Sequence, residues 1–189
     1  MSLVIIWMLL RIIKMIGPEI HKLVRDVVDF PKKGIIFKDI TTLLMNKDIS
    51  DKIIDEFVAR LSHLKIDAIA GIESRGFLYG FMLANRMNIP FIPIRKSGKL
   101  PCKTKKYKYD LEYGSSEIEI HINDIKKDWN VLIHDDLLAT GGTACASAEL
   151  IKSCNANVIG FSFVISLNYL DPLPKLQSYS SNIFSLLEY

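Results

Sequence analysis

The sequence predicts an α/β fold, a mostly parallel twisted sheet with helices on both faces. Three observations lead there. Apolar runs rich in β-branched residues, IDAIAGI at 66–72, VLI at 131–133 and NVIGFSFVIS at 157–166, read as strands buried on both faces. The first two are followed, after a short turn, by helical stretches, GFLYGFMLANRM and ACASAELIKS. Such alternation builds a parallel sheet. The turns between them carry glycines, threonines and charged residues, where open α/β sheets hold their ligands.

The chain has 189 residues, enough for one domain with a core. Apolar residues make up 49% and charged ones 24%, ordinary for a globular protein. A net charge of +3 is too small to argue for nucleic acid without a concentrated patch, but it suits an anionic small substrate. Three cysteines, Cys102, Cys145 and Cys154, form no repeated spacing, which favours reduced thiols and a cytoplasmic setting. No CxxC, HExxH or His/Cys cluster is present, so no tightly held protein metal site is expected.

Taken in order, residues 1–17 form an apolar N-terminal extension. Its run from Leu3 to Leu10 is too short to span a bilayer. Positive charges follow that run instead of preceding it, so a signal peptide fits poorly. It reads as an amphipathic helix packed on a subunit or the core, with a membrane-surface segment as the alternative. The spacing of Ile20, Leu23, Val24, Val27 and Val28 predicts a helix over 18–30, with Pro18 at an early position. Pro31 and Gly34 then impose turns on DFPKKGIIFKDITTLL. Phe37 sits there beside charged residues and, on physics alone, can be a core aromatic. Asp48 to Leu64 has the helical period, and IPFIPI at 89–94 is a further strand. Arg75, beside a strand end, is either a surface arginine or a planar fork for phosphate oxygens.

Arg95, Lys96 and Lys99 open the densest basic stretch of the chain, which continues through KTKKYKYD. Gly98 and Pro101 argue against a helix. A flexible loop over about 95–115 is expected, either a solvated face or a lid for a polyanion. LEYGSSEIEIHI returns to strand alternation, NYLDPLPKLQ is a turn or short helix, and IFSLLEY is a final strand. Residues 18–189 read as a single domain, with about 29–45 forming a small hood over the ligand edge.

The chain is organised around VLIHDDLLATGGT, 131–143. Asp135 and Asp136 end the strand, and Ala139, Thr140, Gly141, Gly142 and Thr143 turn into the helix. The glycines let backbone approach a ligand closely. Free N–H groups and the helix dipole gather partial positive charge at one spot, and a phosphate monoester fits it. The carboxylates would repel phosphate but accept two hydrogen bonds from a vicinal diol. Together they make a grip for ribose 5-phosphate. The plainer alternative is a tight βα turn with a capping threonine. Neither GK[ST] nor GxGxxG is present, so this is no Walker loop or dinucleotide fingerprint.

This segment resembles the sugar-diphosphate signature of the type I phosphoribosyltransferases. DFPKKGIIFKDITTLL, GIESRGFLYG, PFIPIRKSGKLP and YDLEYGSSEIEIH, with the ending FSLLEY, resemble the branch of that family that acts on adenine. The resemblance implies the type I phosphoribosyltransferase fold, with hood and closing loop. It implies transfer of adenine onto 5-phospho-α-D-ribose 1-diphosphate with Mg²⁺, held mainly by the substrate. It implies a cytoplasmic homodimer of purine salvage, binding these small molecules and no nucleic acid. Asp135 and Asp136 would hold the ribose hydroxyls, and 139–143 the 5-phosphate. Glu73, Ser74 and Arg75 would form the pyrophosphate loop, with a cis peptide before the serine. Arg95, Lys96 and Lys99 would face the pyrophosphate, Arg95 reaching towards a neighbouring subunit. Phe37 would stack on adenine while backbone groups of Ile36 and Lys38 read its edge. Thr42, where relatives often have proline, would loosen the hood slightly. Glu112 would handle the proton at N7 or N9 of the base, with Tyr113 beside it and Arg75 assisting. Other purine specificity, or a regulator that senses a phosphoribosyl ligand, are the alternatives.

Overall fold

The computed structural model describes residues 16–110 and 114–189. Most of the N-terminal extension, and Glu112 and Tyr113, lie outside the described residues. Internal contacts divide the chain into two compact units, Met1–Glu56 and Phe57–Tyr189.

The first unit contains α1 (Ile16–Leu23), β1 (Arg25–Val28), β2 (Ile36–Asp39), α2 (Thr41–Leu44) and most of α3 (Lys47–Leu61). The helix predicted over 18–30 therefore stops at Leu23. Residues after it form an antiparallel pair with β2, placing Val27 opposite Phe37 and Val28 opposite Ile36. Adjacent β-branched valines fit a pleated ladder, and pairing with β2 overrides the helical spacing. The turn between the strands uses Gly34 at φ +88°, whose N–H donates to Asp29 Oδ1 at 2.7 Å. Thr42 donates its hydroxyl to the Leu23 carbonyl. It ties α2 to the end of α1.

The second unit is built on a seven-stranded sheet. Its strands are β3 (Ala68–Ile72), β4 (Phe91–Lys96), β5 (Thr104–Asp110), β6 (Ser115–His121), β7 (Asn130–Leu138), β8 (Asn157–Ser166) and β9 (Ile183–Glu188). They lie in the order β5-β6-β4-β3-β7-β8-β9. The five from β4 to β9 run parallel, and β6 pairs antiparallel with both β4 and β5. The α5 helix (Gly142–Ser153) covers one face with Ala144, Ala146, Ala148, Leu150 and Ile151, packed with Ala68, Ala70, Val131, Ile133 and Phe161. Small alanines let it sit close. The α4 helix (Gly76–Met87) lies on the other face, where a Cβ on Gly80 would come within 3.2 Å of His134. Each fully buried Ile, Leu or Phe contributes about 1.5–3 kcal/mol. This core fixes the strand ends from which the site is built.

Two expectations change in this unit. The segment read as a flexible basic loop over about 95–115 contains a short turn and a strand. Residues 104–110 are strand β5, paired with 115–121. Tyr107 and Tyr109 alternate inward against the core cluster, with Lys106 and Lys108 on the other face. And β7 does not end before the acidic pair: it runs on to Leu138, because Asp135, Leu137 and Leu138 still pair with β8.

Candidate active site

The pair Asp135–Asp136 stands late on β7, between two clefts. The first, of about 250 Å³, is lined by Glu73, Ser74, Arg75, Lys96, Asp135 and Asp136. The second, of about 90 Å³, is lined by Asp135 and by Ala139, Thr140, Gly141 and Thr143 of the β7–α5 turn. Asp135 is common to both.

The turn that lines the second cleft starts the α5 helix. Gly141 takes φ +80°, and no side chain caps the helix start. The first-turn N–H groups are thus left to a ligand or solvent. A Cβ on Gly142 would meet nothing nearer than Thr140 Oγ1 at 3.9 Å, so the space beside it is open. Two ties hold the turn in place. Lys175, on α6 (Leu173–Gln177), donates to the Thr140 carbonyl at 3.2 Å, and Tyr109 on β5 shares a 3.2 Å hydrogen bond with Thr143 Oγ1. Sequence reasoning gave no role to Lys175 or Tyr109.

The acidic pair is held in an electrostatically costly state. Asp136 is 2% exposed. Its N–H donates to Asp135 Oδ1 at 2.9 Å. Arg75 Nε lies 3.0 Å from Asp136 Oδ2, an ion pair, yet Oδ2 accepts no well-directed hydrogen bond among the described residues. Burial, then the neighbouring Asp136 charge, pushes the Asp135 carboxyl well above the usual range. Burial also raises Asp136, with Arg75 opposing. Behind them, fully buried His134 bonds Ser162 Oγ through Nδ1 at 2.9 Å, and burial lowers its pKa to about 3. It is a neutral core histidine.

The first cleft's other wall comes from the β3–α4 turn. The Glu73–Ser74 peptide is cis, as the resemblance implies. Gly76 lets the start of α4 meet β7: a Cβ there would lie 2.8 Å from the His134 carbonyl and 2.9 Å from Asp135 Oδ1. Glu73 gathers the basic residues of the β4 end. Its Oε2 accepts from Arg95 Nε at 3.2 Å and the Lys96 N–H at 2.9 Å, and Oε1 from Lys99 Nζ at 2.8 Å. Burial resists ionisation of Glu73, but these donors outweigh it and hold its pKa at about 2.

A second buried carboxylate, Glu119 on β6, went unnoticed in the sequence. Burial opposes its ionisation, while hydrogen bonds from Leu100 N–H, Thr104 and Lys99 N–H bring its pKa below the usual value. EIEIH alternation marks Glu117 and Glu119 as one polar face, and nothing in it distinguishes the buried one.

Ile36, Phe37 and Lys38 lie on β2 in the first unit. Phe37 is half-buried and meets Phe30 edge-on at 5.2 Å, while Ile36 is half exposed. Lys38 Nζ pairs with Asp26 at 2.8 Å. Among the described residues, no group of three or more His, Cys, Asp or Glu side chains can hold a metal, and no helix is long and apolar enough to cross a membrane.

Residues 40–175 match the family profile described as a phosphoribosyl transferase domain. The adenine phosphoribosyltransferase of Christiangramia forsetii is 47% identical over 171 residues, 90% of this chain and 99% of that protein. That of Campylobacter concisus is 51% identical over 167 residues, 87% of this chain and 91% of the relative. Among solved structures, the adenine phosphoribosyltransferase of Thermoanaerobacter pseudethanolicus superposes with a TM-score of 0.88 at 44% identity, covering 91% of this chain and 99% of the other. The Saccharomyces cerevisiae enzyme, solved with adenine and an imino-altritol bisphosphate, gives 0.87 at 39% identity, covering 92% and 99%.

Proposed function

The chain belongs to the adenine phosphoribosyltransferase family, enzymes of pentosyl transfer in purine salvage, and on that premise we propose how its own residues divide the work. The substrates are adenine and 5-phospho-α-D-ribose 1-diphosphate, the products AMP and pyrophosphate. One observation carries the residue assignment: an uncapped helix start and an under-bonded buried carboxylate line adjoining clefts that share Asp135.

In this reading the amides and hydroxyls of Ala139, Thr140, Gly141, Gly142 and Thr143 hold the 5-phosphate. Asp135 and Asp136 accept hydrogen bonds from the ribose hydroxyls, which supply the donors the pair lacks. Glu73, Ser74 and Arg75, with Arg95, Lys96 and Lys99, surround the diphosphate. As the C1′–O bond to pyrophosphate breaks, the ring gains oxocarbenium character, and these cations stabilise charge on the leaving oxygens. A ring nitrogen of adenine forms the new bond to C1′ from the opposite face, and its proton passes to Glu112, with Tyr113 beside it. Arg75 pairs with Asp136 and so aligns the acid that holds the sugar. Phe37 stacks on adenine, and Ile36 and Lys38 offer backbone groups to its edge; the aromatic, part-apolar surface of the β1–β2 hairpin supports that role.

Mg²⁺, held mainly by the substrate's own oxygens, would offset charge on the diphosphate when bound with it. Leu78 and Phe81 are exposed on α4 beside the Phe77–Phe91 contact, an apolar face that supports a homodimer. The reduced-thiol reading supports the cytoplasm, and membrane contact through 1–17 stays the minor alternative. Steady-state assays with adenine, hypoxanthine and guanine test the specificity. Turnover of adenine is expected to dominate, and its absence would end this reading in favour of another base or a non-catalytic ligand sensor.

A further inference from the structure

The basic turn after β4 is held by a group that no reaction step uses. Glu119 lies opposite Arg95 across β4–β6 and opposite Lys106 across β5–β6, so these three share one face of the sheet. That face is the one away from core residues Ile118 and Ile120. A carboxylate there should meet water, yet Glu119 is 1% exposed. The 97–103 turn buries it and spends its own donors on it. Oε1 accepts the N–H groups of Lys99 at 2.8 Å and Leu100 at 2.9 Å, and Oε2 accepts Thr104 Oγ1 at 3.0 Å. Lys106 Nζ stands 3.9 Å from Oε2. Glu119 thus grips the main chain of the turn, while Glu73 grips its side chains from the cleft.

We propose that Glu119 is a positioning residue for diphosphate binding: it pins the main chain at 99–100 so that Lys96 stays on the cleft wall near Arg75 and Arg95 and Lys99 stay on Glu73 beside it. It touches no substrate. This rests on the assignment of that cleft to pyrophosphate made above. Glu119 bonds Lys99, Leu100 and Thr104, whereas the tie from this hairpin to the β7–α5 turn runs through Tyr109, so its influence divides the substrate in two: the diphosphate end depends on it, the 5-phosphate end does not.

The test is calorimetric titration of the full-length chain with inorganic pyrophosphate and, separately, ribose 5-phosphate. Glu119→Asp keeps the charge but falls one methylene short of the turn amides. With Glu119→Ala, it should weaken pyrophosphate about tenfold and leave ribose 5-phosphate within about twofold. Glu119→Gln keeps an acceptor at Oε1 and should restore most of the pyrophosphate affinity. In steady state, the loss should appear in KM for the sugar diphosphate with KM for adenine little changed. Pyrophosphate binding equal to wild type in the Asp and Ala variants overturns the proposal. So does an equal loss of both ligands, the mark of a general packing defect. If Glu119→Ala and Glu119→Asp do not fold, Thr104→Val decides: it removes one donor from Oε2, and about threefold weaker pyrophosphate is expected, while no change overturns the proposal. A wild-type chain that binds ribose 5-phosphate but no pyrophosphate would instead remove the cleft assignment, and this inference with it.

Discussion

Asp135, the carboxyl proposed to hold the ribose, costs the fold stability. Its carboxyl binds a proton more tightly in the folded chain than in the unfolded one, because burial and Asp136 both disfavour its charge. Folding therefore takes up a proton above the ordinary value of 3.8, and stability falls as pH climbs from there through the raised value. Asp135→Asn is expected to melt at or above wild type at pH 8 while losing at least about a hundredfold in kcat/KM for the sugar diphosphate, since the diol then meets a neutral amide, with a donor in place of one charged acceptor. Parallel losses of melting temperature and activity would contradict this. Asp136→Asn should likewise lose far more activity than stability. Glu73 has the opposite sign. Its pKa is held at about 2 against 4.5, so its contribution is full above pH 4.5 and is lost as acid approaches 2. Urea melts at pH 6, 4 and 3 should show wild type losing stability over that window more steeply than Glu73→Gln. The acidic pair was legible in the sequence because two adjacent carboxylates late on a buried strand have few structural uses. Glu119 was not, because burial by a distant turn leaves no mark on an alternating strand.

The β7–α5 turn separates fold from function more cleanly than any other element. Gly142 opens α5 with empty space at its Cβ. Gly142→Ala should leave melting unchanged or raise it by up to about 1 kcal/mol, since alanine is the better helix former. Its methyl would enter the space assigned to phosphate, so ribose 5-phosphate affinity should fall; unchanged affinity would place that phosphate elsewhere. Gly76→Ala should instead destabilise by about 1–3 kcal/mol, because the new methyl collides with the His134 carbonyl and with Asp135. The elements that sequence reasoning placed well, β3, α4, α5 and β8, have long single-period patterns. It failed where two signals competed. Val27 and Val28 fit a helical face until β2 supplies a ladder. In KTKKYKYD, charge density obscured the alternation of Tyr107 and Tyr109 that makes β5 a strand.

At the scale of the whole molecule, an apolar face on α4 is left by the described residues. Phe81 is 58% exposed and Leu78 42%. Phe81→Glu should convert a dimer to a monomer in sedimentation velocity, and an unchanged sedimentation coefficient would move the interface off α4. The resting protein also carries its own substitute for the leaving group. With the Arg95 and Lys99 side chains and the Lys96 N–H already matched by Glu73, a diphosphate bound there as proposed would have to exchange with a resident anion instead of filling bare positive ground. Such a rival would weaken the grip on product as well as substrate, hasten its departure, and keep an idle enzyme from collecting stray phosphates.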